Sequence, residues 1–152
     1  MTPSHRLVEL NVKLPAIAAP VGSYVPALRT GNYIYTSGQL PFRDGKVVHA
    51  GKVPDDVAIE DAADGARIAA LNALAAAADA AGGIDNIQRV VRVCVYVNSS
   101  PGFTAQPKVA NGASDLYAQI FGDAGRHARS AVGVAELPLN AAIELDLIVE
   151  VK

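Results

Sequence analysis

Residues 87–98, IQRVVRVCVYVN, limit most strongly what this chain can fold into. β-Branched residues at this density crowd a helix but pack well on a pleated surface, so the segment reads as a strand. Apolar groups fall on both of its faces, which is the pattern of a strand covered on both sides rather than one with a wet face. The rest of the fold must supply a layer above it and a layer below it.

The neighbouring segments supply one layer. After Pro54 the chain turns to helix formers: Asp55 or Asp56 can cap an N-terminus, Glu60 and Asp61 suit the first turns, and an alanine-rich run continues to Gly82-Gly83. This predicts one long helix, and its scarcity of large side chains predicts a close approach to a sheet. A second helix is expected over about Phe103 to Phe121, with Leu116, Tyr117, Ile120 and Phe121 inward. Short strands are expected at Arg6 to Val12 and Asn32 to Gly38, and two more at about His127 to Val134 and Ile143 to Val151. In the last strand alternation sends Ile143, Leu145, Leu147 and Val149 to one face, and Glu144, Asp146 and Glu150 to the other with Ile148.

The expected fold class is therefore α/β (α+β), a mixed sheet of about six strands with two helices on one face, in a single domain over residues 1–152. The second face of the sheet is left for a symmetric partner, so self-association is expected.

Composition excludes several classes. A net charge of −2 with scattered basic residues offers no stripe for a nucleic-acid backbone, and no run is apolar enough to span a bilayer; no nucleic acid, no membrane and a cytoplasmic location are expected. Cys94, the single cysteine, lies in an apolar run without a nearby histidine and reads as buried filler. His5, His49 and His127 are too dispersed for a metal site, and neither metal nor cofactor is expected.

Two residues stand out chemically. Arg129 lies in a predicted strand among the small residues Ala128, Ser130, Ala131 and Gly133, so its guanidinium can reach along an uncrowded face. A planar two-pronged donor matches a carboxylate, although a mid-strand arginine also serves as a structural ion-pair partner. Glu144 points away from the helix-packed face, where it can orient or deprotonate a water in a cleft, or simply be a solvated strand glutamate. His127 falls on the same strand face as Arg129 if the alternation is regular, and it is a possible proton-transfer group or a residue of a subunit contact.

Several blocks match one pattern together: Gly22-Ser23-Tyr24; Gly31-Asn32 leading to Thr36-Ser37-Gly38-Gln39-Leu40-Pro41; Ala128-Arg129-Ser130 followed by Val134-Ala135-Glu136-Leu137-Pro138; and Ile143-Glu144. Over nearly its whole length the chain resembles the reactive intermediate deaminase (RidA/YjgF) family. Val109 to Asp115 with Gly125 to Arg129 is similar to a longer, less characterised branch of it. The resemblance implies a chorismate-mutase-like fold, homotrimers with clefts between subunits, and cofactor-independent hydrolysis of enamine or imine intermediates such as 2-aminoacrylate to 2-oxo acids and ammonia. It also implies roles: Arg129 as carboxylate anchor, Glu144 as the water-associated glutamate, and Tyr24 and Ser37 as pocket residues.

Two positions depart from the family pattern. Ala131 stands where a cysteine commonly follows Arg-Ser, and Ser114 stands where the second helix often offers a pocket asparagine; Asn111, nearby, is not an automatic substitute. The departures keep a second reading open, a non-catalytic trimeric protein that binds small carboxylates or a regulatory partner. Ribonuclease activity, a label attached to some relatives, is a remote alternative, since the chain has neither a basic track nor an obvious histidine pair for phosphodiester cleavage.

Overall fold

The computed structural model describes residues 1–152. Its centre is β5 (Ile87–Asn98), paired antiparallel with β7 (Ile143–Val151) and parallel with β6 (Ala128–Val134). A parallel neighbour needs a crossover. That crossover is α3 (Gln106–Phe121), and α2 (Ile59–Ala81) lies beside it. β1 (Ala27–Thr30) and β2 (Tyr33–Thr36) complete a five-stranded sheet in the order β1-β2-β7-β5-β6, which leaves β6 at an edge. The expected six strands resolve into these five and a separate two-stranded ribbon, β3 (Phe42–Arg43) with β4 (Lys46–Val47).

The helices cover one face. Ile143, Leu145, Leu147, Val149 and Val151 are each at most 2% exposed and meet the alanine side of α2. Gly112 shows how close the helices come, since a methyl group there would run into the Ala63 carbonyl. α2 ends as expected on Gly82 in the left-handed region, φ 77°. Its N-cap, however, is Ala58, because the Asp56 carboxylate is used earlier, accepting from the Lys52 amide at 3.0 Å.

The N-terminal segment departs from the sequence expectation. Instead of a strand over Arg6 to Val12, the chain forms α1 (Pro3–Glu9). The Thr2 hydroxyl caps it by accepting from the His5 amide at 3.3 Å, and Pro3 occupies the first turn, where no amide hydrogen is needed. Ser4 donates through its amide and its hydroxyl to the Asp85 carboxylate, at 2.8 and 2.6 Å. Leu7 and Leu10, one helical turn apart, supply the apolar side; that spacing fits a helix as well as the alternation fits a strand.

β5 is also less symmetrical than its composition. Register shifts between Ile87 and Arg89 and between Val90 and Arg92 put Val90 and Val93 on the same covered face although they are three residues apart. Arg92, Cys94 and Tyr96 take the other face and are only half-buried, so Cys94 is not core filler. That face also carries Leu28, Tyr35 and Val132, which are 60%, 44% and 44% exposed, beside Glu144 and Asp146. No helix is long and apolar enough to cross a membrane.

Candidate active site

β6 and α3 together form the first cluster. Arg129 is in register with Val93 and therefore points toward the helix layer. There α3 presents Asn111 and Ser114, three residues apart and hence neighbours on one helix face. Arg129 Nη1 donates to Asn111 Oδ1 at 2.8 Å and to Ser114 Oγ at 3.2 Å. Ser114 Oγ in turn lies 2.9 Å from His127 Nε2, and His127 Nδ1 lies 2.6 Å from the Gly125 carbonyl.

Simple donor rules orient this chain of bonds. A carbonyl oxygen only accepts, so Nδ1 carries a proton, and in the neutral ring Nε2 accepts the Ser114 hydroxyl proton. The Ser114 oxygen then receives the Arg129 N–H. Burial holds the His127 pKa below its ordinary 6.5, the Arg129 charge adds to that, and the Gly125 bond opposes it. The ring is neutral near pH 7.

Local packing fixes the cluster. A methyl on Gly125 would strike the Tyr117 carbonyl, so only glycine brings this turn against α3. Tyr117 stands edge-on to His127, with ring centroids 6.0 Å apart, and its hydroxyl is anchored on the Ala70 carbonyl at 2.9 Å. Ser114, Asp115, Arg126, His127 and Arg129 line a shallow cavity of about 410 Å³. No carboxylate pairs with Arg129: the chain's ion pairs are Arg6–Glu9, His49–Asp64 and Asp123–Arg126. A larger depression, about 500 Å³, lies between α1 and the end of α3, but its charged side chains are already engaged, Arg6 with Glu9, Asp85 with Ser4 and Lys152 with the Asp85 carbonyl.

The second cluster is built on β7 and the end of β2. Gln39 and Leu145 exchange backbone hydrogen bonds at 2.7 and 3.0 Å, which brings Gly38 beside Glu144. A Cβ on Gly38 would stand 3.0 Å from the Glu144 carboxyl carbon. Ser37 donates from Oγ to the Val25 carbonyl at 2.6 Å and thereby ties down the loop that carries Tyr24. Tyr24 is 49% exposed. Burial, then the nearby Asp146, raises the Glu144 pKa above its ordinary 4.5.

The sheet separates the clusters. Arg129 shares its row with Val93 on the covered face, whereas Glu144 is in register with Tyr96 on the open face. One chain therefore joins Arg129, Ser114 and His127, and separately places Glu144 beside Gly38, next to Ser37, with Tyr24 in the loop that Ser37 ties down. His127 precedes β6 rather than starting it, yet it stands on the Arg129 side as expected. Asn111 and the Gly125 carbonyl were not singled out as site groups by sequence reasoning; the three-residue spacing of Asn111 from Ser114 was the available signal. No three His, Cys, Asp or Glu side chains gather as a metal-ligating group.

A family model described as "YjgF/chorismate mutase-like, putative endoribonuclease" matches residues 4–151. The chain belongs to the YjgF/RidA family. Its sheet and helix layer are the chorismate-mutase-like fold of that family. Among YjgF/RidA relatives, a Trypanosoma cruzi protein named TCP17 is 45% identical over 145 residues, covering 95% of this chain and 91% of that protein. A crystal structure from Shewanella oneidensis MR-1, described as a putative endoribonuclease, is 35% identical with a TM-score of 0.95, covering 99% of this chain and 100% of that one. A 2-iminobutanoate/2-iminopropanoate deaminase from Dermatophagoides farinae is 28% identical over 143 residues, covering 93% of this chain and 95% of that protein.

Proposed function

We propose that this YjgF/RidA protein is a cytoplasmic, cofactor-independent deaminase that hydrolyses enamine and imine intermediates of the 2-aminoacrylate type to 2-oxo acids and ammonia. One observation carries the reading: Arg129 opens on a cavity without a protein carboxylate as partner, and its bonds to Asn111 and Ser114 leave from a single nitrogen, Nη1. The remaining guanidinium edge is a two-pronged donor for a substrate carboxylate. The similarity to the mite imine deaminase supports the substrate class.

The two clusters combine if the site lies between copies of the chain. The edge strand β6 with α3 would bring Arg129, Ser114 and His127, and a neighbouring copy would bring Glu144, Ser37 and Tyr24. The exposed Leu28, Tyr35 and Val132 on the uncovered sheet face support such an assembly, for which we propose the homotrimer. Arg129 then fixes the carboxylate, which places the adjacent electrophilic carbon within reach of a water directed by Glu144; Ser37 hydrogen-bonds to the substrate and Tyr24 closes the cleft. Catalysis is positioning and charge stabilisation.

The test is to generate 2-aminoacrylate in situ and follow pyruvate release. The wild type should accelerate release over buffer and Arg129→Ala should not; equal rates in both overturn the proposal. Binding of 2-oxo acids without turnover would instead favour a non-catalytic carboxylate-binding protein.

A further inference from the structure

We infer that Ser114 and His127 form the base of this site, taking the proton of the attacking water through the Ser114 hydroxyl onto His127 Nε2. The inference rests on the deaminase reading and assigns its proton acceptor. Three distances carry it: Ser114 Oγ is 3.2 Å from Arg129 Nη1 and 2.9 Å from His127 Nε2, and His127 Nδ1 is 2.6 Å from the Gly125 carbonyl. A hydroxyl within hydrogen-bond reach of an imidazole whose other nitrogen is held by a third group is the arrangement of an activated hydroxyl. Here it stands beside the carboxylate anchor, so the carbon next to a bound carboxylate falls within its reach.

The proton balance closes without any other reactant. The substrate enters as an iminium. Water oxygen bonds to C2, the C2–N π pair moves to nitrogen, and the water proton passes to Ser114 Oγ as the Ser114 proton passes to His127 Nε2. The imidazolium returns that proton by the same path to the nitrogen of the carbinolamine. The C2–N bond then breaks with its electron pair on nitrogen, the C2 hydroxyl proton passes through Ser114 to His127 as the ketone forms, and the imidazolium hands it to the departing ammonia, which restores the neutral ring. Overall, iminium and water give 2-oxo acid and ammonium.

The surroundings suit a neutral acceptor. Arg129 on β6 and Arg126 in the preceding turn are cationic, and Asp115 on α3 is the anionic group lining the same cavity. Tyr117 presents a ring edge, with its hydroxyl turned away to Ala70. Arg129 depresses the His127 pKa. A carboxylate that neutralises Arg129 therefore raises it, which readies the ring to accept a proton once substrate is bound.

The test has a kinetic arm and a titration arm. With 2-aminoacrylate generated in situ, the wild-type kcat/KM should fall on the acid side through a pKa below 6.5, and His127→Gln and Ser114→Ala should each lose about 100-fold or more and lose that limb. Thermal melts identify any variant that has not folded, and retention of the limb in the folded one of the two overturns the inference. In the second arm, NMR of the imidazole nitrogens should show the proton on Nδ1 and a rise in the His127 pKa on adding pyruvate, absent in Arg129→Ala. Normal turnover with His127 replaced sinks the base and spares the deaminase. Absence of wild-type turnover with the pyruvate-linked shift intact sinks the deaminase reading and shows that the proton-accepting pair is nonetheless coupled to the anchor.

Discussion

Replacing Arg129 by lysine keeps the charge and removes the fork. In the native chain Nη1 serves both Asn111 and Ser114, at 2.8 and 3.2 Å, which leaves the other guanidinium edge for a ligand. A lysine ammonium has three donors; if two replace the bonds to Asn111 and Ser114, one remains for the carboxylate. The expected loss is one hydrogen bond to a charged group, about 1.5–3 kcal/mol, or roughly 10- to 150-fold in pyruvate affinity. Alanine removes both bonds and the charge, so its loss should be larger still. Folding stability should change little in Arg129→Lys, which can keep bonds to Asn111 and Ser114, and should fall by about 1 kcal/mol in Arg129→Ala, which loses both. Calorimetric titration with pyruvate measures the affinities, and pyruvate release from 2-aminoacrylate measures kcat/KM. Wild type, Arg129→Lys and Arg129→Ala with equal affinities would refute the anchor.

Four further outcomes follow. If sites are shared between copies, mixing inactive Arg129→Ala with inactive Glu144→Gln subunits should restore about one quarter of the wild-type rate by random pairing; no restoration places both residues in one chain's site. Gly38→Ala puts a methyl 3.0 Å from the Glu144 carboxyl carbon, so the rate should drop while the melting temperature barely moves. Gly112→Ala drives a methyl into the Ala63 carbonyl between α2 and α3, and overpacking of about 1–3 kcal/mol should lower the melting temperature by several degrees. The Glu144 pKa is raised in the fold, so its ionisation opposes folding: Glu144→Gln should melt higher than wild type at pH 7, and the difference should vanish as the pH falls below 4.5.

Arg129 and Glu144 could be picked out from the sequence because each breaks its local pattern, a charge among small residues and a charge in an alternating strand. Their placement on opposite faces was not legible, since alternation orders faces within a strand while the register of β6 on β5 is set by the α3 crossover. The layers were readable from the alanine-rich helix and the β-branched run. The bulges at Gln88 and Val91 were not, and they turn a strand that looks apolar all round into one with an open side. At the N-terminus, Leu7 and Leu10 fit a helical turn while Val8, Leu10 and Val12 alternate as in a strand, and the decision falls to the Thr2 cap and the distant Asp85. Asn111 could be noticed beside Ser114 but not assigned a role, because that role depends on a strand that follows it in the chain.

The most direct measurement is a crystal structure with a bound 2-oxo acid. The carboxylate should be held two-pronged by Arg129, beside Ser114, with Glu144 of a neighbouring copy facing the 2-oxo carbon. A carboxylate seated elsewhere, or Arg129 paired with a protein carboxylate across the subunit contact, would contradict that arrangement.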